Sequence, residues 1–399
     1  MAEWTITTLE ACTDILGDGL HGTPIYSENG EYAFVNGNNL VDGEILIKKD
    51  TKKVDESQYE KYKKTLSNRT ILVSINGTLG NVGTYNSEKI ILGKSACYFN
   101  VKNSVDKDFI YYVVSSPAFR QYLESNATGT TIKNISLKQM REYSFAMPSY
   151  DEQQRISSIL KTIDRKIKGN KEINKNLEQQ AQAIYRSWFV NYEPFDGTKP
   201  DDWSDGTIDD LGTEIICGKT PSTKKSEYYG GNTPFITIPD MHGCVYIVST
   251  ERYLSDAGVA SQPKKTLPPN TVCVSCIGTA GLVTLVSEES QSNQQINSII
   301  PKEGISVYYI YLLMQTLAET INKLGQSGST IVNLNKTQFG KIQVMIPSKR
   351  VLQDFDSLCR PLFDTILSNQ KENINLSELR DTLLPKLMSG ELDVSDIDL

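Results

Sequence analysis

Histidine is nearly absent. His21 and His242 are the only two in 399 residues, which leaves little material for a His-based general base. Long apolar runs are also missing: none approaches the roughly 18 residues that a membrane span needs. Met1 to Leu20 has no basic flank followed by an apolar stretch, so it does not read as a secretory leader. A cytoplasmic chain with no membrane partner is expected. The seven cysteines are scattered and odd in number, and a chain this long needs no disulfide framework. Positive charge is short as well, with 41 Lys and Arg against 48 Asp and Glu and a net charge of −7. A protein that gripped DNA alone through its phosphates should be basic. A DNA-reading role would therefore need basic residues focused on one surface, or partners that supply part of the grip.

Catalytic signatures are wanting too. An amino-methyltransferase needs a [DNS]-P-P-[YFW] motif to hold the target amine, and the sole Pro-Pro, Pro268-Pro269, lies in LPPN. Gly218–Thr220 reads GKT, as in a phosphate-binding loop, but the required upstream glycine would fall at Thr213. Gly212 is one residue out, and Pro221 follows where a helix should continue. Cys273 and Cys276 have the CxxC spacing of zinc ligands. Their counterparts in the repeat described next are Leu72 and Ile75, so buried strand positions are expected instead. His242 near Cys244 reads as a loop residue. No catalytic residue and no metal site is assigned to the chain.

What is present is one unit written twice. Trp4 and Trp203 each follow an acid, 199 residues apart. Ser74–Gly80 (SINGTLG) matches Ser275–Gly281 (SCIGTAG) at 201, and Thr128–Ile135 (TGTTIKNI) matches Ser327–Leu334 (SGSTIVNL) at 199. Met147-Pro148-Ser149 matches Ile346-Pro347-Ser348, and NKNLEQQ from Asn174 matches NINLSEL from Asn373, both at 199. Five collinear pairs are more than chance likeness of Gly/Ser/Thr loops, and copies of about 200 residues are domain-sized.

Each copy opens with short β-branched runs such as Thr70–Ile75 and Thr271–Ser275, bounded by turn residues. Helical pieces such as Phe109–Ser116 and Tyr308–Leu324 interrupt them. Each copy closes with a long helix. In the first, Ile156, Leu160, Ile163, Ile167, Leu177, Ala181, Ile184 and Trp188 step by fours and threes, a heptad seam. In the second, Phe355, Cys359, Leu362, Ile366, Leu376, Leu383 and Leu387 keep the same phase, with Arg380 out of character for a dry core. Asn170 and Asn174, and their equivalents Asn369 and Asn373, are polar seam positions that fix register at some cost in stability. If the helices pair antiparallel, partners have residue numbers that sum to 543, so Asn170 faces Asn373 and Asn174 faces Asn369. The same rule pairs Ile156 with Leu387, Leu177 with Ile366 and Trp188 with Phe355. A parallel pairing also matches Asn with Asn, so antiparallel is a preference. It would place one globular domain at each end of a helical ruler. The expected class is α+β: residues 1–150 and 193–348 as two mixed α/β domains, and 151–192 and 349–399 as the two coiled-coil helices, the second with the C-terminal tail, in a pseudo-twofold repeat.

These features resemble the specificity subunits of type I restriction-modification systems over the whole chain. GKTPSTKKSEYYGGNTPFITIPDM (Gly218–Met241) is similar to the usual opening of a target-recognition domain. The GTxG turns at Gly77–Gly80 and Gly278–Gly281, SGST at Ser327, MPSYDEQQRI at Met147, AIYRSWFVNYEPF at Ala183 and LLPKLMSGELDV at Leu383 resemble family segments in order and spacing. The first opening, Gly17–Leu40, has a shorter Gly/Thr/Pro stretch. The resemblance implies a non-catalytic DNA-sequence-specificity subunit with two target-recognition domains separated by an antiparallel coiled coil. Each domain would read one half of a bipartite double-stranded DNA site. The implied partners are two adenine-N6 modification subunits using S-adenosylmethionine and restriction/motor subunits using ATP and Mg²⁺, with no cofactor in this chain. The runner-up readings are a specificity subunit serving a related type II or solitary adenine methyltransferase, and a coiled-coil scaffold without a DNA role.

Candidate DNA contacts follow from residue chemistry. Gly77, Thr78 and Gly80, with Gly278, Thr279 and Gly281, could bring backbone N–H groups to phosphate. Thr130, Thr131, Lys133 and Asn134, with Ser329, Thr330 and Asn333, offer hydroxyl, amine and amide groups in a loop before a strand. Lys48, Lys49, Lys52 and Lys53 form a basic cluster. Lys219, Thr220, Ser222, Thr223, Lys224 and Lys225 combine charge with small hydroxyls near Tyr228 and Tyr229, the best candidate for a groove-facing loop.

Overall fold

The structure is a computed structural model that describes residues 4–129, 132–326 and 332–394. Thr130, Thr131, Ser329 and Thr330 among the candidate contacts lie outside these residues. The chain divides into two compact units, one of Met1–Arg165 with Leu376–Leu399 and the other of Lys166–Asn375. Each unit therefore holds one globular domain and a stretch of both long helices.

In the first unit the run TILVS forms strand Thr70–Ser74, buried on both faces as its unbroken β-branched composition requires. It lies in an antiparallel sheet of order Thr13–Asp18, Ala96–Val101, Thr70–Ser74, Val82–Thr84. A second sheet orders Lys53–Val54, Tyr32–Val35 and Ile90–Leu92, the last two parallel. Thr5–Thr8 and Ser144–Met147 close the domain as an antiparallel ribbon. Helices Lys107–Ser115 and Pro117–Asn126 start where the side chains of Asp106 and Ser116 accept from Phe109 N–H and Phe119 N–H. Pro117 sits where its missing N–H costs nothing. Phe99, Phe109 and Phe119 are fully buried between these helices and the first sheet.

The second unit repeats this topology. Its main sheet orders Gly212–Cys217, Ile296–Pro301, Val272–Ser275 and Val283–Val286, then adds Tyr246–Ile247 in parallel. Strands Tyr229–Ile236 and Ser290–Ser292 form the matching parallel pair, and Ser204–Thr207 pairs with Gln343–Ile346 as the matching ribbon. The segment expected to be helical over Tyr308–Leu324 is two helices, Val307–Thr316 and Ala318–Gly325. The duplication is thus one of strand order, not only of motifs.

The long helices are α1 (Tyr150–Phe189) and α2 (Lys349–Met388), 40 residues each, or roughly 60 Å at 1.5 Å per residue. α2 continues through Pro361 and Pro385, both exposed, where water can take the carbonyls they free. In each unit the two helices run antiparallel. Asn170 Nδ2 donates to Asn373 Oδ1 at 2.9 Å, and Asn369 Nδ2 donates to Asn174 Oδ1 at 2.8 Å. Trp188 packs on Phe355 with ring centroids 5.9 Å apart. Four seam positions shift by one residue from the heptad reading. Tyr185, Phe189, Phe363 and Leu384 are buried, whereas the predicted Ile184, Trp188, Leu362 and Leu383 are only half-buried. The cause is that each helix packs against a globular domain as well as its partner helix, so its buried stripe is wider than a two-residue seam.

The junctions repeat as well. Phe195, just after α1, meets Trp203 edge-on at 5.3 Å. Val394, 199 residues later, is buried in the core against which Trp4 also packs. The two tryptophans differ in one respect. Trp4 Nε1 donates to Glu152 at 3.1 Å, while the buried Trp203 Nε1 has no acceptor among the described residues. Val351 stands where α1 has Glu152.

Candidate nucleic-acid interface

In both domains the fold joins the GTxG turn to the segment that carries the second repeated motif. Gly77 and Gly80 take φ of 77° and 79°, and Gly278 and Gly281 take 76° and 90°, values that favour glycine. Ser74 closes the first turn, its carbonyl accepting from Gly80 N–H and its hydroxyl from Asn81 N–H. Ser275 does the same with Gly281 and Leu282. Gly77 N–H donates to the Lys133 carbonyl and Gly278 N–H to the Val332 carbonyl, each at 3.0 Å. Ile135 N–H and Leu334 N–H return bonds to Ile75 and Cys276.

This corrects two expectations. The amides of Gly77, Gly80, Gly278 and Gly281 are spent on protein carbonyls, so they are not available to phosphate. The motif around Lys133 leads into helix Leu137–Glu142 rather than a strand. Asn134 has a structural role here, its Oδ1 accepting from Asn76 Nδ2 at 3.0 Å, and Asn333 N–H is held by the Gly325 carbonyl. The exposed groups left at these turns are Thr78, Lys133 and Thr279.

The lysine cluster of the first domain is solvent-facing throughout. Lys53 opens a short strand paired with Tyr32–Val35. The turn carrying Lys48 is closed by Thr51 Oγ1, which accepts from Lys48 N–H at 2.9 Å. Exposed Leu46 and Ile47 precede it.

The second domain's opening loop is anchored at its base and exposed at its tip. Lys219 N–H donates to the Ser292 carbonyl, and Thr220 Oγ1 to Gln294 Oε1, both at 2.8 Å. Gly218 packs so closely that a Cβ would meet the Asn293 carbonyl at 2.2 Å. Tyr229 Oη donates to the Pro221 carbonyl at 2.7 Å. Beyond this base, Ser222, Thr223, Lys224 and Lys225 are exposed. The Lys225 ammonium reaches Tyr228 Oη at 3.0 Å and lies over that ring, which holds its pKa above the ordinary lysine value.

The CxxC pair behaves as its repeat partners suggest. Cys273 and Cys276 are buried and free, with thiols pushed up to about 12 by burial. Leu72 and Ile75 are buried at the equivalent positions.

Helix-to-domain contacts were not legible in the sequence. Gln370 of α2 caps strand Tyr246–Ile247, accepting from Tyr246 N–H at 3.0 Å and donating to its carbonyl at 3.1 Å. Glu178 of α1 accepts from Tyr311 Oη at 2.9 Å and Gln315 Nε2 at 2.8 Å. Both look like ordinary solvent-facing helix residues until the domain is folded against them.

A profile of the type I restriction modification DNA specificity domain matches residues 19–179 and 200–373, one match per repeat. The chain belongs to the type I restriction-modification specificity family. Among its relatives in that family, the type I restriction enzyme HindI specificity subunit of Haemophilus influenzae is 33% identical over 360 aligned positions. That alignment covers 73% of this chain and 78% of the relative. The MjaIX specificity subunit of Methanocaldococcus jannaschii is 23% identical, with 99% and 95% covered. In fold, this specificity chain is similar to the crystal structure of the type I S subunit of M. genitalium, at a TM-score of 0.59 and 20% identity, covering 98% and 97% of the two chains. No helix among the described residues of this specificity subunit is long and apolar enough to cross a membrane.

Proposed function

We propose that this specificity subunit reads a bipartite double-stranded DNA site, one recognition domain per half-site. It carries no catalytic group of its own. It holds two adenine-modification subunits, which bring S-adenosylmethionine, and restriction/motor subunits, which bring ATP and Mg²⁺, in the cytoplasm. The observation that carries the reading is the duplicated strand order with dissimilar opening segments. Two copies of one domain bear the same turn-and-bridge frame, yet differ in their exposed loops, with Lys48–Lys53 in one and Lys219–Lys225 in the other. Two different half-sites ask for that arrangement, because backbone-positioning contacts repeat while base-reading side chains vary. Antiparallel helices suit dyad-related DNA strands, and their length sets the spacer.

Methylome sequencing of cells carrying the intact system tests this. A two-part motif with a fixed spacer, methylated at adenine, is expected. A single continuous motif, or methylation independent of this chain, would overturn it. Deleting one heptad from each helix should change the tolerated spacer, and an unaltered spacer would remove the ruler.

A further inference from the structure

The two recognition domains support their opening segments by different means. Both make the same backbone bond, from Leu20 N–H to the Leu92 carbonyl in the first and from Lys219 N–H to the Ser292 carbonyl in the second. Behind that bond the first domain is apolar: Ile91, opposite Phe34 in the parallel pair, is buried. The second domain has Gln291 at this place, opposite Phe235 and fully buried. Tyr62 in the first domain is likewise replaced by Gln262 in the second, buried and 200 residues on.

These two amides form a closed network. Gln262 Nε2 donates to the Lys219 carbonyl at 2.7 Å and to Gln291 Oε1 at 2.8 Å. Gln291 Nε2 in turn donates to Thr266 Oγ1 at 3.1 Å and the Val259 carbonyl at 3.3 Å. Lys265 Nζ holds the Cys217 carbonyl at 2.8 Å, two residues before Lys219. In the first domain the stretch equivalent to Lys219–Lys225 is held by a bond from Ile25 N–H to the half-exposed Gln58. A glutamine pair costs desolvation wherever it is buried, and at Ile91 the first copy closes the same fold over an apolar residue, with the half-buried Tyr62 at the other place. The network's distinctive product is a fixed carbonyl at Lys219, hence a fixed departure for the exposed Ser222–Lys225 tip.

We propose that Gln262 and Gln291 are specificity-positioning residues of the second recognition domain, holding the base of the Lys219–Lys225 loop so that its tip meets one half-site in a single conformation. The inference rests on the reading of this chain as a bipartite DNA reader. Without the network the loop would still carry its charge and hydroxyls, and so would keep its phosphate attraction while losing base discrimination, since the two depend on different contacts.

The test uses the full chain assembled with its modification subunits. DNA duplexes carry the wild-type motif or a single base change in either half. The variant Gln262→Leu/Gln291→Leu removes both partners together and keeps volume. Gln291→Ile, which puts the first domain's residue at this position, is the milder second variant. Methylation rates should show discrimination in the second half-site reduced at least tenfold by the double variant and less by Gln291→Ile, with the first half-site discriminated as before. Unchanged discrimination in both variants would overturn the proposal, as would an equal loss in both half-sites. Should the double variant fail to assemble, Gln291→Ile alone decides, by the same two outcomes. If the wild-type assembly methylates no bipartite site, the functional reading itself fails. If it does and the variants discriminate normally, only this inference fails.

Discussion

Arg380 of α2 pairs with Asp164 of α1, Nη1 to Oδ1, at 3.0 Å. The same carboxylate accepts from Tyr112 Oη at 2.7 Å, and burial together with that carboxylate pushes the Tyr112 hydroxyl well above the ordinary tyrosine range. The charged residue of the α2 seam is therefore part of a polar layer that ties both helices to the first domain. Arg380→Ala should lower the stability of this unit by about 1–2 kcal/mol, between the worth of a surface ion pair and the cost of breaking a buried one. Tyr112→Phe should cost about 1 kcal/mol. Urea unfolding of the single and double variants reads both, and strictly additive losses would argue against a shared layer.

The asparagine layer has a different use. Asn170, buried, donates to Asn373 and also to Glu372 Oε2 at 2.7 Å. Replacing Asn170 and Asn373 by leucine should raise stability by about 1–3 kcal/mol, as removal of buried polar layers often does. The cost should be mixed register or altered oligomers, visible by light scattering and by cross-linking across the helices. A more stable chain in strictly native assembly would show that these residues do not set register.

Thiol burial gives a pH dependence. Cys273 and Cys276 are raised to about 12, against about 8.5 in an unfolded chain. A raised folded pKa means the stabilisation is fully present below about pH 8.5 and is lost as pH climbs toward 12, by at most about 1.4 kcal/mol per pH unit per thiol. The urea midpoint should fall between pH 8.5 and 10, and Cys273→Val should flatten that slope. At neutral pH both thiols should resist alkylation until the chain unfolds. Rapid labelling of either in the native chain would contradict the buried-strand assignment.

The exposed loop tip should act through charge. Lys224→Ala/Lys225→Ala in the assembled complex should weaken DNA binding severalfold and reduce the dependence of log K on log salt by about 0.9 for each phosphate that is no longer neutralised. Binding titrations at several salt concentrations measure it, and an unaltered salt slope would place the loop away from the backbone.

The sequence by itself determined the duplication and the two long helices, because a repeat offset and a heptad step survive without coordinates. It put asparagine opposite asparagine in either helix direction, and the structure decided for the antiparallel pairs Asn170–Asn373 and Asn174–Asn369. The sequence also placed Cys273 in a buried strand through its equivalent Leu72; Cys276, like its equivalent Ile75, is buried but lies one residue past the strand end. Tertiary structure alone decided which groups are free to act. The glycine amides of the GTxG turns looked available and proved bonded to Lys133 and Val332. Phe363 displaced Leu362 from the core because a globular domain packs beside the seam. Gln262, Gln291, Gln370 and Glu178 became structural only through partners more than 25 residues away in the chain. Hydrogen bonding to distant segments leaves no local pattern, since any polar residue in an exposed-looking stretch satisfies the sequence equally well.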